Sequence, residues 1–234
     1  MINKRFPSII LFLLFFSLAS FENSIAQQPD PTQIISSVKA AFNKIKDYQA
    51  DVSIKIDVEF MDVPDGSARI YFKQPDKISI KSKNFALMPK EGLNFTPNRI
   101  FRGNFTPVYV KETLIDGYPV HQIKIVPLEE NSEIILTTIW VDKSTNFIRK
   151  VESTSRKQGS FTLLLDYGKS LQYPLPTKLT FVFDIKKDNL PKDFTGAQTK
   201  KKPLTENVRG KVFVYYNNYQ VNKGVPDSVF KENK

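Results

Sequence analysis

The stretch YQADVSIKIDVEF, residues 48–60, constrains the fold of this chain more than any other part of it. Apolar and polar residues alternate along the stretch, and the apolar ones are Ala50, Val52, Ile54, Ile56, Val58 and Phe60. A period of two is typical of a β-strand with one dry and one wet face. Because the stretch is about twice the usual strand length of about 5 to 6 residues, it predicts a strand whose dry face packs against something large.

A single helix is predicted before this strand. Asp30, Pro31 and Gln33 are typical of a helix start, because they supply an N-cap, a proline at the first helical position and the amide of a capping box. Apolar residues then recur at helical spacing, namely Ile34, Ile35, Val38, Ala41, Phe42 and Ile45. The sequence therefore predicts a helix over residues 31–46 with one apolar face.

The remainder of the chain consists of predicted strands separated by turn residues. After residues 48–60, the predicted strands are 68–72, a strand from 78 onward, 99–113, 119–126, 134–141, 147–153, 161–167, 178–185 and 211–221. About ten strands without interleaved helices predict an antiparallel meander, in a mainly β fold with a helix. Segment 186–209, which contains Pro191, Pro203 and three consecutive lysines, predicts a long flexible loop.

The first 26 residues have the layout of a secretory signal peptide. Lys4 and Arg5 precede the apolar run IILFLLFFSL, and the small residues Ser24 and Ala26 lie at a predicted cleavage site after Ala26. A membrane anchor is the alternative, although the run is shorter than the about 20 residues of a spanning helix. We therefore expect an exported protein with one domain over residues 27–234.

Composition restricts the classes of function. The chain has no cysteine, which excludes a disulfide framework, a thiol nucleophile, a thiolate metal site and a lipid-modified cysteine on this chain. Its formal net charge of +10 favours anionic lipid head groups or acidic proteins over nucleic acid in an exported protein. A solvated lysine-rich surface explains the charge equally well. If the charge has a role, Lys200, Lys201 and Lys202 are expected to contact an anionic surface.

No group of residues in the sequence predicts an enzyme. The sole histidine, His121, alternates with Ile123 and Ile125 and is therefore expected in or beside the core. Ser36 and Lys39 match the Ser-x-x-Lys spacing of acylating serine enzymes, but the companion motifs are missing. Because HExxH, GxSxG, phosphate-loop and calcium-loop patterns are missing too, we expect neither catalytic residues nor a metal or cofactor.

Three stretches of the sequence resemble the outer-membrane lipoprotein carrier family, the LolA-like proteins. GSARIYFKQPDKISI has the family's glycine at Gly66 and its proline at Pro75. IWVDKSTNFIRKVES is similar to a family strand that ends in an aspartate at a turn, here Asp142. YYNNYQVNKGVPDSVF resembles the closing strand and tail, with Asn222, Pro226, Asp227 and Phe230. The stretches occur in the family's order and together span nearly the whole chain after residue 26.

The resemblance implies an open, strongly curved antiparallel sheet, an incomplete barrel, with helices over its concave apolar face and a cavity for acyl chains. A fully packed core without a cavity is the alternative. The residues predicted to bind lipid are Val52, Ile54, Ile56, Val58, Phe60, Ile70, Phe72, Ile78, Ile80, Phe85, Leu87 and Met88. The last three are predicted to form a movable flap or an ordinary buried strand end. Gln74 stands where the family usually has an arginine that holds the lid, so a lid latched in the same way is not expected.

Together with the resemblance, these features predict a monomeric periplasmic carrier that shields the acyl chains of lipoproteins or other envelope lipids during transfer. The expected partners are the acyl chains and a membrane-bound donor or acceptor protein, without nucleic acid. A regulatory module of the same fold that reports on envelope lipid by docking on a membrane protein is the alternative. The fold does not choose between these cargoes and roles.

Overall fold

The structure, a computed structural model, describes residues 28–58, 64–82, 96–156, 159–169, 172–186 and 207–231. Among these residues, two α-helices, α1 (Pro31–Asn43) and α2 (Pro97–Ile100), and a 3₁₀ helix (Asp227–Phe230) accompany a sheet. The strands are β1 (Asp47–Val58), β2 (Gly66–Lys73), β3 (Lys77–Lys81), β4 (Phe105–Ile115), β5 (Tyr118–Pro127), β6 (Ile134–Asp142), β7 (Ile148–Ser155), β8 (Gly159–Asp166), β9 (Lys178–Lys186) and β10 (Asn207–Val221). No helix among these residues is both long and apolar enough to cross a membrane.

All ten strands belong to one antiparallel sheet, in the order β3-β2-β1-β10-β9-β8-β7-β6-β5-β4. The predicted meander is therefore confirmed, but it is divided into two runs, β1 to β3 and β4 to β10. The runs join where β1 pairs with β10, with Tyr48 opposite Val221 and Val58 opposite Gly210. Within the described residues β3 and β4 each pair with one neighbour only, so the sheet is open, as predicted.

Helix α1 covers part of the concave face of the sheet. Asp30 caps the helix, since its Oδ1 accepts a hydrogen bond from the backbone N–H of Thr32 at 2.8 Å, and Pro31 follows it. The buried side of the helix consists of Ile34, Ile35, Val38 and Phe42. The rings of Phe42 and Phe72 lie 5.4 Å apart, which joins the helix to β2 in one continuous core.

Most predicted strand boundaries differ from the observed ones by a few residues, and three differences are larger or change the type of element. Helix α1 ends at Asn43 and not at residue 46, because the side chain of Asn222 hydrogen-bonds the N–H of Lys46 and the carbonyl of Lys44. Residues 99 and 100, predicted as strand, belong to α2, which has Pro97 at its first position. Strand β9 includes residue 186 and β10 begins at Asn207, so the predicted loop is shorter at both ends. The rest of that loop, the three lysines and the predicted signal peptide lie outside the described residues.

A buried ion pair closes the turn between β6 and β7. Asp142 is the last residue of β6, and its Oδ2 accepts a hydrogen bond from Arg149 Nε at 2.6 Å. Its Oδ1 accepts hydrogen bonds from the backbone N–H groups of Ser144 and Thr145 and from the Ser144 hydroxyl. The guanidinium of Arg149 lies 3.3 Å from the ring centre of Tyr118. The stretch that ends in an aspartate therefore forms a fixed corner of the sheet.

Candidate ligand-binding cavity

One row of residues across the concave face contains two phenylalanines followed by two small hydroxyl residues. From β1 to β5 the row contains Val58, Gly210, Phe183, Phe161, Ser153, Thr137 and Ile125. A Cβ on Gly210 would lie less than 3.0 Å from side-chain atoms of both Phe183 and Val58. These two side chains therefore fill the space above β10, whereas the smaller Ser153 and Thr137 fill less of the space above β6 and β7.

A cavity of about 570 Å³ lies above these smaller side chains. Its floor is formed by β5 to β8 and consists of Ile125, Thr137, Val151, Ser153, Phe161 and Leu163. Its rim is formed by α2 and the segments next to it, and includes Thr96, Arg99, Ile100, Arg102, Glu129 and Glu133. The volume falls within the range of about 300–1,000 Å³ that is typical of small-molecule sites.

The floor is apolar apart from one pair of hydroxyl groups. Ile125, Val151 and Leu163 are buried. Between them, Thr137 Oγ1 and Ser153 Oγ lie 3.1 Å apart and form a hydrogen bond. Because polar groups are costly to bury without partners, this floor suits a ligand that is mainly hydrocarbon and carries a polar group at one place.

Helix α2 is held at the rim by the turn between β2 and β3. The Asn98 Nδ2 donates hydrogen bonds to Gln74 Oε1 at 3.3 Å and to the Pro75 carbonyl at 2.9 Å. Arg102 forms an ion pair with Asp76 at 2.7 Å. Gln74 thus contacts the rim through an amide, at the position where the resemblance has an arginine.

The charges at the rim nearly balance. The lining contains Arg99 and Arg102 together with Glu129 and Glu133, and Arg102 is paired with Asp76. Among the described residues Arg99 forms no ion pair. The described part of the rim therefore combines positive and negative side chains.

The predicted lipid-binding residues lie on the concave side of β1 to β3. Six of them are between 0 and 7% exposed and belong to the continuous core, namely Val52, Ile54, Ile56, Val58, Ile70 and Phe72. Ile78 and Ile80 are partly buried and pack against that core. None of these described residues borders the large cavity, from which β1 is separated by β9 and β10. Phe60, Phe85, Leu87 and Met88 lie outside the described residues, and lipid contact by the whole set stays a prediction.

The residues of the cavity floor lie in predicted strands, but their role was missed by the sequence prediction. The sequence does contain a signal for these residues, in the alternation of apolar and polar positions along the two strands. Thr137 lies two positions before the apolar Ile139, and Ser153 lies two positions after the apolar Val151. Hydroxyl residues therefore occupy two dry-face positions. Such residues at neighbouring positions indicate a polar contact or a space within the core.

The sole histidine lies near the open β4 edge, away from the cavity floor. His121 Nδ1 is 3.4 Å from the Tyr109 hydroxyl and 3.7 Å from Glu112 Oε1. Burial lowers the pKa of His121, nearby Lys143 lowers it further, and Glu112 opposes the change. In the part of the chain that the structure describes, no three His, Cys, Asp or Glu side chains are grouped to hold a metal ion.

A second cavity, of about 290 Å³, lies on the convex face. It is bordered by the turn between β4 and β5 and by β8 and β9, and most of its lining residues are polar or charged, including Arg149, Asp166 and Lys178. The large concave cavity is therefore the better site for an apolar ligand.

Comparisons with solved structures agree on the fold. A LolA superfamily protein from Nitrosomonas europaea is 13% identical, with 88% of this chain and 99% of that chain aligned and a TM-score of 0.53. A DUF1329 family protein from Desulfovibrio piger is 11% identical, with 87% and 98% aligned and a TM-score of 0.53. No protein-family model and no curated protein sequence matches this chain. The chain therefore has a LolA-like fold, an open antiparallel sheet with an N-terminal helix on its concave face.

Proposed function

We propose that this protein binds acyl chains of an envelope lipid or lipoprotein in the concave cavity and carries them between membranes. The observation that carries the proposal is the 570 Å³ cavity, whose floor is apolar apart from one hydroxyl pair and which lies beside the continuous core on the concave face of the sheet. Burial of each methylene contributes about 0.8 kcal/mol, so an acyl chain of several methylenes offsets the cost of ordering the ligand. The LolA-like fold supports the same function.

The binding step is tested with a fluorescent fatty-acyl probe and two matched variants. Leu163→Trp adds volume to the cavity floor, whereas Leu164→Trp makes the same change at the next residue, which is 39% exposed on the convex face. We expect Leu163→Trp to weaken probe binding at least about tenfold, because the indole occupies ligand space, and Leu164→Trp to leave it unchanged. A folded wild type that binds no probe would contradict the proposal.

The transfer step needs a separate experiment. Purified protein should carry labelled lipid from donor to acceptor vesicles, and mass spectrometry of lipid that co-purifies with it identifies the cargo. Depletion in cells should strand that cargo in the inner membrane. If depletion alters an envelope stress response while the cargo stays correctly localised, the protein is a sensor and not a carrier.

Export to the periplasm is part of the proposed function. It is supported by the charged start, the apolar run and the small residues Ser24 and Ala26. N-terminal sequencing of protein from cells should begin at Gln27. Recovery of a cytoplasmic protein that retains Met1 would contradict export.

A further inference from the structure

We propose that Thr137 and Ser153 bind the carbonyl oxygen of an acyl ester, so that the cavity recognises the linkage of an acyl chain as well as its hydrocarbon. This inference rests on the proposed lipid-binding function and adds the chemical class of the ligand. The two residues face each other on β6 and β7, and both line the cavity.

The hydrogen-bond inventory of the pair leaves one donor unused. Each hydroxyl has one proton, and the 3.1 Å bond between Thr137 and Ser153 uses only one of the two. Neither residue has another hydrogen bond among the described residues. Both residues line the cavity and are only 8% and 4% exposed. The second proton therefore needs an acceptor, and the cavity has space for one.

A third hydroxyl, next to the cavity, also has unused hydrogen-bonding capacity. Thr96 at the rim is 1% exposed, and its Oγ1 has no hydrogen-bond partner among the described residues. A buried polar atom without a partner is rare in folded proteins. Thr96 thus adds a polar group with unused capacity next to the cavity, but its buried Oγ1 does not face the cavity space, so the hydroxyl pair on the floor is the group that a ligand can reach.

The charges around the cavity favour a neutral acceptor over a carboxylate. The floor has no charged side chain, and a carboxylate placed against Ile125, Val151 and Leu163 would lose its hydration without gaining a cation. At the rim, the arginines are accompanied by Glu129 and Glu133. An ester carbonyl satisfies the free hydroxyl proton without this electrostatic cost.

The test compares two neutral ligands that differ at the carbonyl, a 1-monoacylglycerol and the 1-O-alkylglycerol of equal chain length, by displacement of the fluorescent acyl probe. Wild type should prefer the ester about three- to tenfold, the effect of one hydrogen bond. Thr137→Val with Ser153→Ala should abolish the preference by weakening ester binding more than ether binding. The double variant should fold, because replacing both partners of a hydrogen bond by apolar groups is nearly neutral, and its unfolding temperature checks this.

The matched control is the hydroxyl pair on the other face of the sheet. Thr154 Oγ1 and Ser160 Oγ lie 3.2 Å apart on β7 and β8 and are exposed. Thr154→Val with Ser160→Ala should keep the wild-type preference. Equal binding of ester and ether by wild type would overturn the inference and leave the proposed function standing. Failure of wild type to bind either ligand would overturn both.

Discussion

Gly210 determines how closely Val58 and Phe183 approach each other across β10. Because a Cβ there would meet both side chains at less than 3.0 Å, we expect Gly210→Ala to lower the free energy of unfolding by about 1–3 kcal/mol through overpacking. Urea unfolding measures the change. Val58→Ala removes one of the two obstructing groups, so the double variant should lose less stability than the sum of the single variants. Strict additivity would contradict this account.

The Asp142–Arg149 pair predicts a stability that depends on pH. Burial alone would raise the pKa of Asp142, but hydrogen bonds from Ser144, Arg149 and the backbone outweigh it and hold the pKa below its ordinary value of 3.8. A lowered carboxyl pKa stabilises the folded state above the ordinary value, and this stability is lost as the pH falls through the folded value.

We therefore expect Asp142→Asn to cost about 3–5 kcal/mol at neutral pH, because Arg149 stays buried without its charge partner. The difference from wild type should narrow below about pH 4 as the wild-type carboxyl becomes protonated. Unfolding measured across this range checks both points. Asp166→Asn is the control, since Asp166 also accepts a turn hydrogen bond, from the Gly168 N–H, but is exposed. It should cost less than about 1.5 kcal/mol.

At the scale of single residues, the sequence predicts which side chains of β1 lie in the core, but it does not predict the floor of the cavity. The alternation places Val52, Ile54 and Ile56 in the core, and all three are buried. It does not show that Thr137 and Ser153 meet across two strands, because that contact depends on the register of β6 and β7. Cavities arise from such cross-strand neighbours, so the cavity floor was missed although its strands were predicted.

Among the elements, α1 is the cover of the concave face, and Phe42 is its main anchor. Phe42 is 3% exposed and its ring lies 5.4 Å from that of Phe72. We expect Phe42→Ala to lower the free energy of unfolding by about 3–5 kcal/mol. Ser36→Ala on the exposed side of the same helix should change it by less than about 0.5 kcal/mol. Similar losses in both variants would mean that the helix does not depend on its buried face.

Element types were predictable where a local pattern repeats, and element ends were not. The helix start is fixed by adjacent residues, Asp30 and Pro31, and it was predicted correctly. The helix end depends on Asn222, which is distant in sequence and is brought to Lys44 by the pairing of β10 with β1. Helix α2 was missed because a helix of four residues is too short to show a helical period.

For the whole molecule, the open antiparallel sheet was predictable from the succession of strands and from the resemblance. The pairing of β1 with β10 was not, because the meander pattern describes only neighbours in sequence. This pairing determines which part of the concave face is packed and which part holds the cavity. Val58 and Phe183 meet above β10, and the floor of the cavity begins two strands further along the sheet, on β8, and extends to β5.

The central position of β10 also makes the two runs of strands depend on each other for folding. A chain that stops after residue 206 would lack the strand between β1 and β9, so it would form two separate sheets and expose an unpaired edge on each. Unpaired edges are sites of aggregation. We expect such a fragment to aggregate, and light scattering would detect it, whereas a synthetic peptide of residues 207–231 added during refolding should suppress it. During synthesis, β1 to β3 and β4 to β9 therefore stay separate until β10 has been made and joins them.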